Sequence, residues 1–189
     1  MVQKRQAWWV AMGTGLLAAA AYVLMASAAA AQTDNRAEIE CLALTIYFEA
    51  RGEPAMGKRA VGHVVMNRAS DRRYPQWICD VVQQGGEWPR YRCQFTWWCD
   101  GRSDEPREPV AWERSKAIAR LIYWGLSEDP TRGALWYHAD YVAPVWRKFL
   151  GEGPKIGRHI FYRNEGDPMV IEVKLGRNDL ETAATNIVQ

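Results

Sequence analysis

The run Leu44-Thr45-Ile46-Tyr47-Phe48-Glu49-Ala50-Arg51-Gly52-Glu53-Pro54 decides both the local fold and the chemistry. Ile39, Leu42, Ala43, Ile46 and Ala50 recur at helical spacing, which predicts a helix over Arg36 to Gly52. Asn35 as N-cap with Glu38 three residues on forms a capping box at its start, and Gly52 with Pro54 ends it. At about 100° per residue, Glu49 lies about 20° from Leu42 and about 60° from Ile46, so its carboxyl shares the apolar stripe. A carboxyl partly withdrawn from water, in the last turn where helix carbonyls carry partial negative charge, keeps its proton to higher pH and suits a general acid. The competing reading is a side chain that reaches the surface or pairs with Arg51 or Arg68.

Working outward, a second helix starts near Pro54 and runs through Met56, Ala60, Val61, Val64, Val65 and Arg68 to about Ser70. Trp77 to Gln84 reads as a short third helix closed by Gly85-Gly86. Prolines, Gly101 and two cysteines break the pattern from Gly86 to Pro109, which predicts an ordered loop or lobe with a short strand at Gln94 to Trp98. Val110 to Leu126 is the next long helix, framed by Gly125 and Pro130. Ala134 to His138 and Ile160 to Tyr162 read as extended, Pro144 to Leu150 as a short helix, and Pro168 to Leu175 as one more strand before a polar tail from Gly176. There are no internal repeats.

A chain of 189 residues holds one ordinary core plus an appendage, not a two-domain enzyme. With 48% hydrophobic and 24% charged residues it is too apolar for a disordered chain and too charged for a multi-span membrane protein. Its N-terminus is different. Lys4 and Arg5 precede an uncharged stretch from Trp8 to Ala31 that ends in small residues, the pattern of an export signal cleaved after Ala31. The 24 uncharged positions also reach the ~20 residues of a membrane span, so an uncleaved inner-membrane anchor is the rival reading. In either case residues 32–189 are expected outside the cytoplasm, in the periplasm, with the membrane touched only through the anchor.

Export removes two of the 24 basic residues and none of the 22 acidic ones, so the net charge falls from +2 to zero, which argues against nucleic acid as a partner. Eight of the ten tryptophans remain, and flat aromatic faces suit sugar rings as well as a Trp-rich core. Cys41, Cys79, Cys93 and Cys99 all lie in the exported part, where an even number favours two disulfides. Of three connectivities, Cys41–Cys79 with Cys93–Cys99 is preferred, the second closing a short loop. No Cys-x2-Cys pair exists, and His63, His138 and His159 are scattered, so neither metal nor cofactor is expected.

The opening run, followed by Gly57, Ala60-Val61-Gly62 and Val64-Val65-Met66-Asn67-Arg68, resembles the start of the SleB/CwlJ-type cell-wall hydrolase domain. Later blocks follow in order: Tyr74-Pro75, Val81-Val82-Gln83, Gln94-Phe95-Thr96-Trp97, Asp100-Gly101, Asp129-Pro130-Thr131, Gly133-Ala134-Leu135-Trp136-Tyr137, Trp146, Ile156-Gly157, His159 and Phe161-Tyr162. The resemblance covers about Cys41 to Arg163. It implies an α+β, mainly helical lysozyme-like domain with a small β lobe at 32–164, between the signal or anchor helix at 1–31 and a C-terminal extension at 165–189. It also implies cleavage of peptidoglycan glycan strands between N-acetylmuramic acid (MurNAc) and N-acetylglucosamine (GlcNAc), with Glu49 as the catalytic acid. The four cysteines and the Trp-rich middle depart from the best-known members and suggest a disulfide-braced subtype, so a spore role is not implied.

One carboxyl suffices for a lytic transglycosylase, whereas a hydrolytic muramidase needs a second, for which Glu53, Glu87 and Asp100 are the near candidates. The transglycosylase outcome is favoured. Glu53 is a candidate for orienting substrate, against the plainer reading of a surface cap. Gln94, Phe95, Thr96 and Trp97 are candidates to line the groove, with Trp97 or Trp98 on a sugar face, against loop packing. Tyr137 and His159 complete the substrate-binding set, with Tyr137 bonding to Glu49 or the sugar. His63 and Asn67, four apart, are placed to face the same groove or solvent, while Arg51 and Arg68 are expected in structural ion pairs. The rival functions are a zinc N-acetylmuramoyl-L-alanine amidase or peptidase acting on the stem peptides, built on the three histidines, and a non-catalytic glycan-binding module. The chain is expected to act as a monomer.

Overall fold

The computed structural model describes residues 35–85 and 93–164. The leader, Glu87, the strand expected at Pro168 to Leu175 and the C-terminal extension lie outside the described residues. The chain divides into Met1–Ala37 and Glu38–Gln189, and the core and site below belong to the second unit. It is a mainly helical α+β fold with a small antiparallel sheet.

Helix α1, whose described residues are 35–50, ends at the predicted stop, with the Glu53 N–H turned back onto the Ala50 carbonyl. Glu38 links α1 to the next short helix. Its Oε2 accepts the Ile78 N–H at 2.5 Å, placing an anion at the first turn of α3 (Ile78–Gln83). Helix α2 (Ala55–Ser70) is buried nearly all round, because α1, α3, α4 and the sheet surround it. Gly62 makes this possible: a Cβ there would stand 2.6 Å from Ile122 Cδ1 and 2.9 Å from Ile46 Cδ1. Helix α4 (Pro109–Tyr123) starts with proline at N1, as its fixed φ favours. It ends in a Schellman turn, with Gly125 at φ +67°, Gly125 N–H on Ile122 O and Leu126 N–H on Leu121 O.

Strands β1 (Trp136–Ala139), β2 (Gly151–Ile156) and β3 (His159–Arg163) form an antiparallel sheet in the order β1-β3-β2. The pairing Tyr137↔Phe161 and Ala139↔His159 puts Tyr137, Phe161 and His159 on the face toward α2, while Trp136, His138 and Tyr162 lie on the other, against Trp146. Sequence pattern missed β2 because Gly151, Gly153 and Pro154 suit a strand poorly. It survives as an edge strand with a bulge between Glu152 and Lys155 that spans the proline.

One other expectation needs correction. Gln94 to Trp98 is not a strand: Thr96–Trp98 is a 3-10 turn. Extended chain from Cys93 to Cys99 would span about 20 Å, whereas their disulfide holds the Cα atoms 6.4 Å apart. The short helix expected at Pro144 to Leu150 is present as a 3-10 helix, Val145–Phe149. Both disulfides have the preferred pairing, Cys41–Cys79 and Cys93–Cys99, with separations of 38 and 6. In the chain-entropy view these restrain the unfolded chain by about 4 and about 2 kcal/mol.

Candidate active site

The last turn of α1 brings Glu49 to an open groove of about 620 Å³, lined also by Arg68, Gln94, Phe95, Thr96, Trp136, Tyr137, Trp146, Phe149 and Leu150. Burial pushes the Glu49 carboxyl above the ordinary 4.5, and the Tyr137 hydroxyl and the Arg68 charge oppose that rise without cancelling it. Tyr137 Oη donates to Glu49 Oε2 at 3.1 Å. Burial, followed by the neighbouring Glu49 charge, pushes the Tyr137 hydroxyl well above its usual range, so it remains a donor at any working pH. The arrangement is a carboxyl of raised pKa, fixed by one hydroxyl and open to a cleft.

Tyr137 is itself braced. His159 packs edge-on against its ring at 5.1 Å and the fully buried Phe161 lies 5.6 Å away. His159 therefore stands beside Tyr137 and outside the groove lining, with burial lowering its pKa. From the loop 93–99, Gln94, Phe95 and Thr96 reach the groove, Gln94 and Thr96 exposed and Phe95 buried. Trp97 is turned the other way, stacked on Phe48 at 4.9 Å and 17° within the helical core.

Glu53, four residues from Glu49, is drawn elsewhere. Its Oε2 accepts the Arg158 N–H at 3.0 Å in the β2–β3 turn, and its carbonyl accepts Lys58 Nζ. Gly157 fits this contact, since a Cβ would lie 1.8 Å from Glu53 Oε2 and φ is +61°. Asp100 accepts the Arg102 N–H on the exposed loop. Among the described residues lining the groove, Glu49 is the one carboxylate.

His63 and Asn67 secure the connection between α4 and β1. His63 Nε2 lies 3.1 Å from Ser127 Oγ, and Asn67 Nδ2 donates to Asp129 Oδ2 and Ala134 O, both at 3.0 Å. Burial favours a protonated Asp129, but hydrogen bonds from Asn67, Thr131 and Gly133 outweigh it and hold the carboxyl below its usual range. His63, His138 and His159 lie on α2 and on opposite faces of the sheet, and no described cluster of His, Cys, Asp or Glu is arranged to hold a metal ion. Arg51 pairs with Glu108 at 2.9 Å as expected of it, whereas Arg68 belongs to the groove. Sequence reasoning also passed over Trp136, Phe149 and Leu150 as lining residues. Only the abundance of aromatics hinted at them.

The cell wall hydrolase family model matches residues 52–162, more than half of the chain. This chain belongs to the cell wall hydrolase family. The match begins three residues after Glu49 and takes in Arg68, the 93–99 loop, β1, β2 and all of β3 but Arg163. The member described here is 32% identical over 126 residues to the spore cortex-lytic enzyme of Bacillus cereus, covering 66% of this chain and 43% of that one. It is 29% identical over 126 residues to the spore cortex-lytic enzyme of Bacillus subtilis, covering 66% and 37%. It thus spans less than half the length of these curated relatives. Among solved structures, the catalytic domain of the Bacillus cereus SleB protein superposes with a TM-score of 0.51 at 29% identity, over 67% of this chain and 89% of that one.

Proposed function

We propose that this family member cleaves the MurNAc–GlcNAc bond of peptidoglycan glycan strands as a lytic transglycosylase, with Glu49 as acid and then base. The supporting observation is a raised-pKa carboxyl, anchored by Tyr137, at the edge of a groove otherwise lined by aromatic, amide, hydroxyl and guanidinium groups. Glu49 gives its proton to the glycosidic oxygen, the C1–O bond breaks with its electron pair going to that oxygen, and C1 becomes oxocarbenium-like. The muramoyl 6-hydroxyl then bonds to C1 and returns its proton to the Glu49 carboxylate, closing a 1,6-anhydro ring and restoring the acid. Trp136, Trp146 and Phe149 offer faces for sugar rings, and Gln94 and Thr96 offer polar groups for acetamido substituents.

The two disulfides and the leader pattern support a place in the oxidising cell envelope. The test is digestion of purified peptidoglycan by the full chain with mass analysis of the fragment ends. Anhydro-muramoyl ends are expected. Reducing ends would replace this reading with the hydrolytic one, free stem peptides with the amidase, and intact glycan with a binding module.

A further inference from the structure

Arg68 closes the last turn of α2 and is 4% exposed. Its Nε donates to the Leu135 carbonyl at 2.8 Å, and its guanidinium lies over the rings of Tyr74, at 5.5 Å, and Phe95, at 5.4 Å. Its Nη1 is buried and has no hydrogen-bond partner. A buried cation ordinarily has a carboxylate bound to it, because leaving water is otherwise too costly. Three titratable groups from three elements act on Arg68: Tyr74 from the segment after α2, Tyr137 from β1 and Glu49 from α1. The phenols stay protonated at working pH, so Glu49 is the one of the three whose ionisation balances the charge.

Resting on the acid-then-base reading of Glu49, we infer that Arg68 is its positioning residue and charge partner, a fixed cation that favours the carboxylate formed when the proton is handed to the leaving oxygen. Before proton transfer the pair carries a buried +1, and after it the pair is neutral. A preorganised charge of this kind assists the step at no cost in reorganisation. The structural task of Arg68, tying α2 to the loop before β1, uses its Nε–H on Leu135 and the Tyr74 side chain beside its guanidinium. The unpartnered Nη1 belongs to a guanidinium that lines the same groove as the Glu49 carboxyl.

The experiment is an NMR titration of the full chain without substrate, following the Glu49 carboxyl carbon and the Arg68 guanidinium nitrogens. Both are expected to report one shared midpoint, and Arg68 resonances that do not follow Glu49 overturn the proposal. In Arg68→Met, or in Arg68→Gln, which retains a donor for Leu135, the Glu49 midpoint should rise by about one pH unit or more, while Arg68→Lys keeps it near that of the unaltered chain. Peptidoglycan cleavage should slow about tenfold in the neutral variants and its alkaline limit should move to higher pH. An unmoved midpoint in a folded neutral variant, or a Lys variant that behaves like Met, refutes the charge role. Because the titration needs no turnover, it stands apart from Glu49→Gln, whose full retention of cleavage would instead remove the catalytic reading.

Discussion

Glu49, Arg68 and Tyr137 reach the groove from α1, α2 and β1, each tied by a hydrogen bond to another element or backed by buried rings. Trp146, Phe149 and Leu150 reach it from the stretch between β1 and β2, where Phe149 is 79% exposed and Val145 73%. The polar part sits on the core, so its geometry is as rigid as the fold. In the aromatic part Phe149 stands in water, while Trp146 rests edge-on against His138 and Tyr162 and keeps one side open. The two parts of the groove thereby lie in regions that tolerate change very differently.

The largest expected break is Glu49→Gln, with cleavage down at least about 10³-fold by fragment analysis while glycan binding in a pull-down persists. It carries a stability signature as well. A carboxyl whose pKa is raised on folding contributes stability below its unfolded value, near 4.5, and loses it as pH climbs through the folded value. The Gln variant should therefore melt higher than the parent at neutral pH, with the gap closing below pH 4.5. Next comes Phe161→Ala, which empties the fully buried space behind Tyr137 and should cost about 3–5 kcal/mol in urea unfolding.

Tyr137→Phe removes the bond to the ionised form of Glu49, so cleavage should fall about tenfold and its alkaline limit should shift upward in a pH profile. The mildest changes belong to the aromatic part. Phe149→Ser should raise KM several-fold and leave kcat nearly unchanged, with stability within about 0.5 kcal/mol. A fall in kcat as large as that of Tyr137→Phe would erase the division between the two regions.

Much of the polar part was readable from sequence because local periodicity determines it. The spacing of Leu42, Ile46 and Glu49 set the acid at the edge of the core, and Gly52 with Pro54 fixed where α1 stops. The cysteine pairing, preferred among three connectivities because Cys93–Cys99 closes a short loop, is the one the fold adopts. Other features depend on tertiary geometry that no window contains. Arg68 reads like any basic residue at a helix end until Tyr74, Phe95 and Leu135 close round it. β2 is hidden by glycines and a proline that only an edge strand accepts, and the 96–98 turn is imposed by a disulfide whose effect on backbone extension the pattern of apolar residues does not register. Glu53 was grouped with Glu49 by proximity in sequence, yet the turn after α1 sends the two side chains to different destinations.

That divergence ties the end of α1 to the sheet twice, through Glu49 to Tyr137 and, a few residues on, through Glu53 to the Arg158 amide. A single pin lets two parts swivel about it, whereas two pins fix their bearing. The sheet, holding Tyr137 on one edge strand and the Arg158 amide in the β2–β3 turn, thus works as a jig that keeps the Glu49 carboxyl and the Tyr137 phenol aligned.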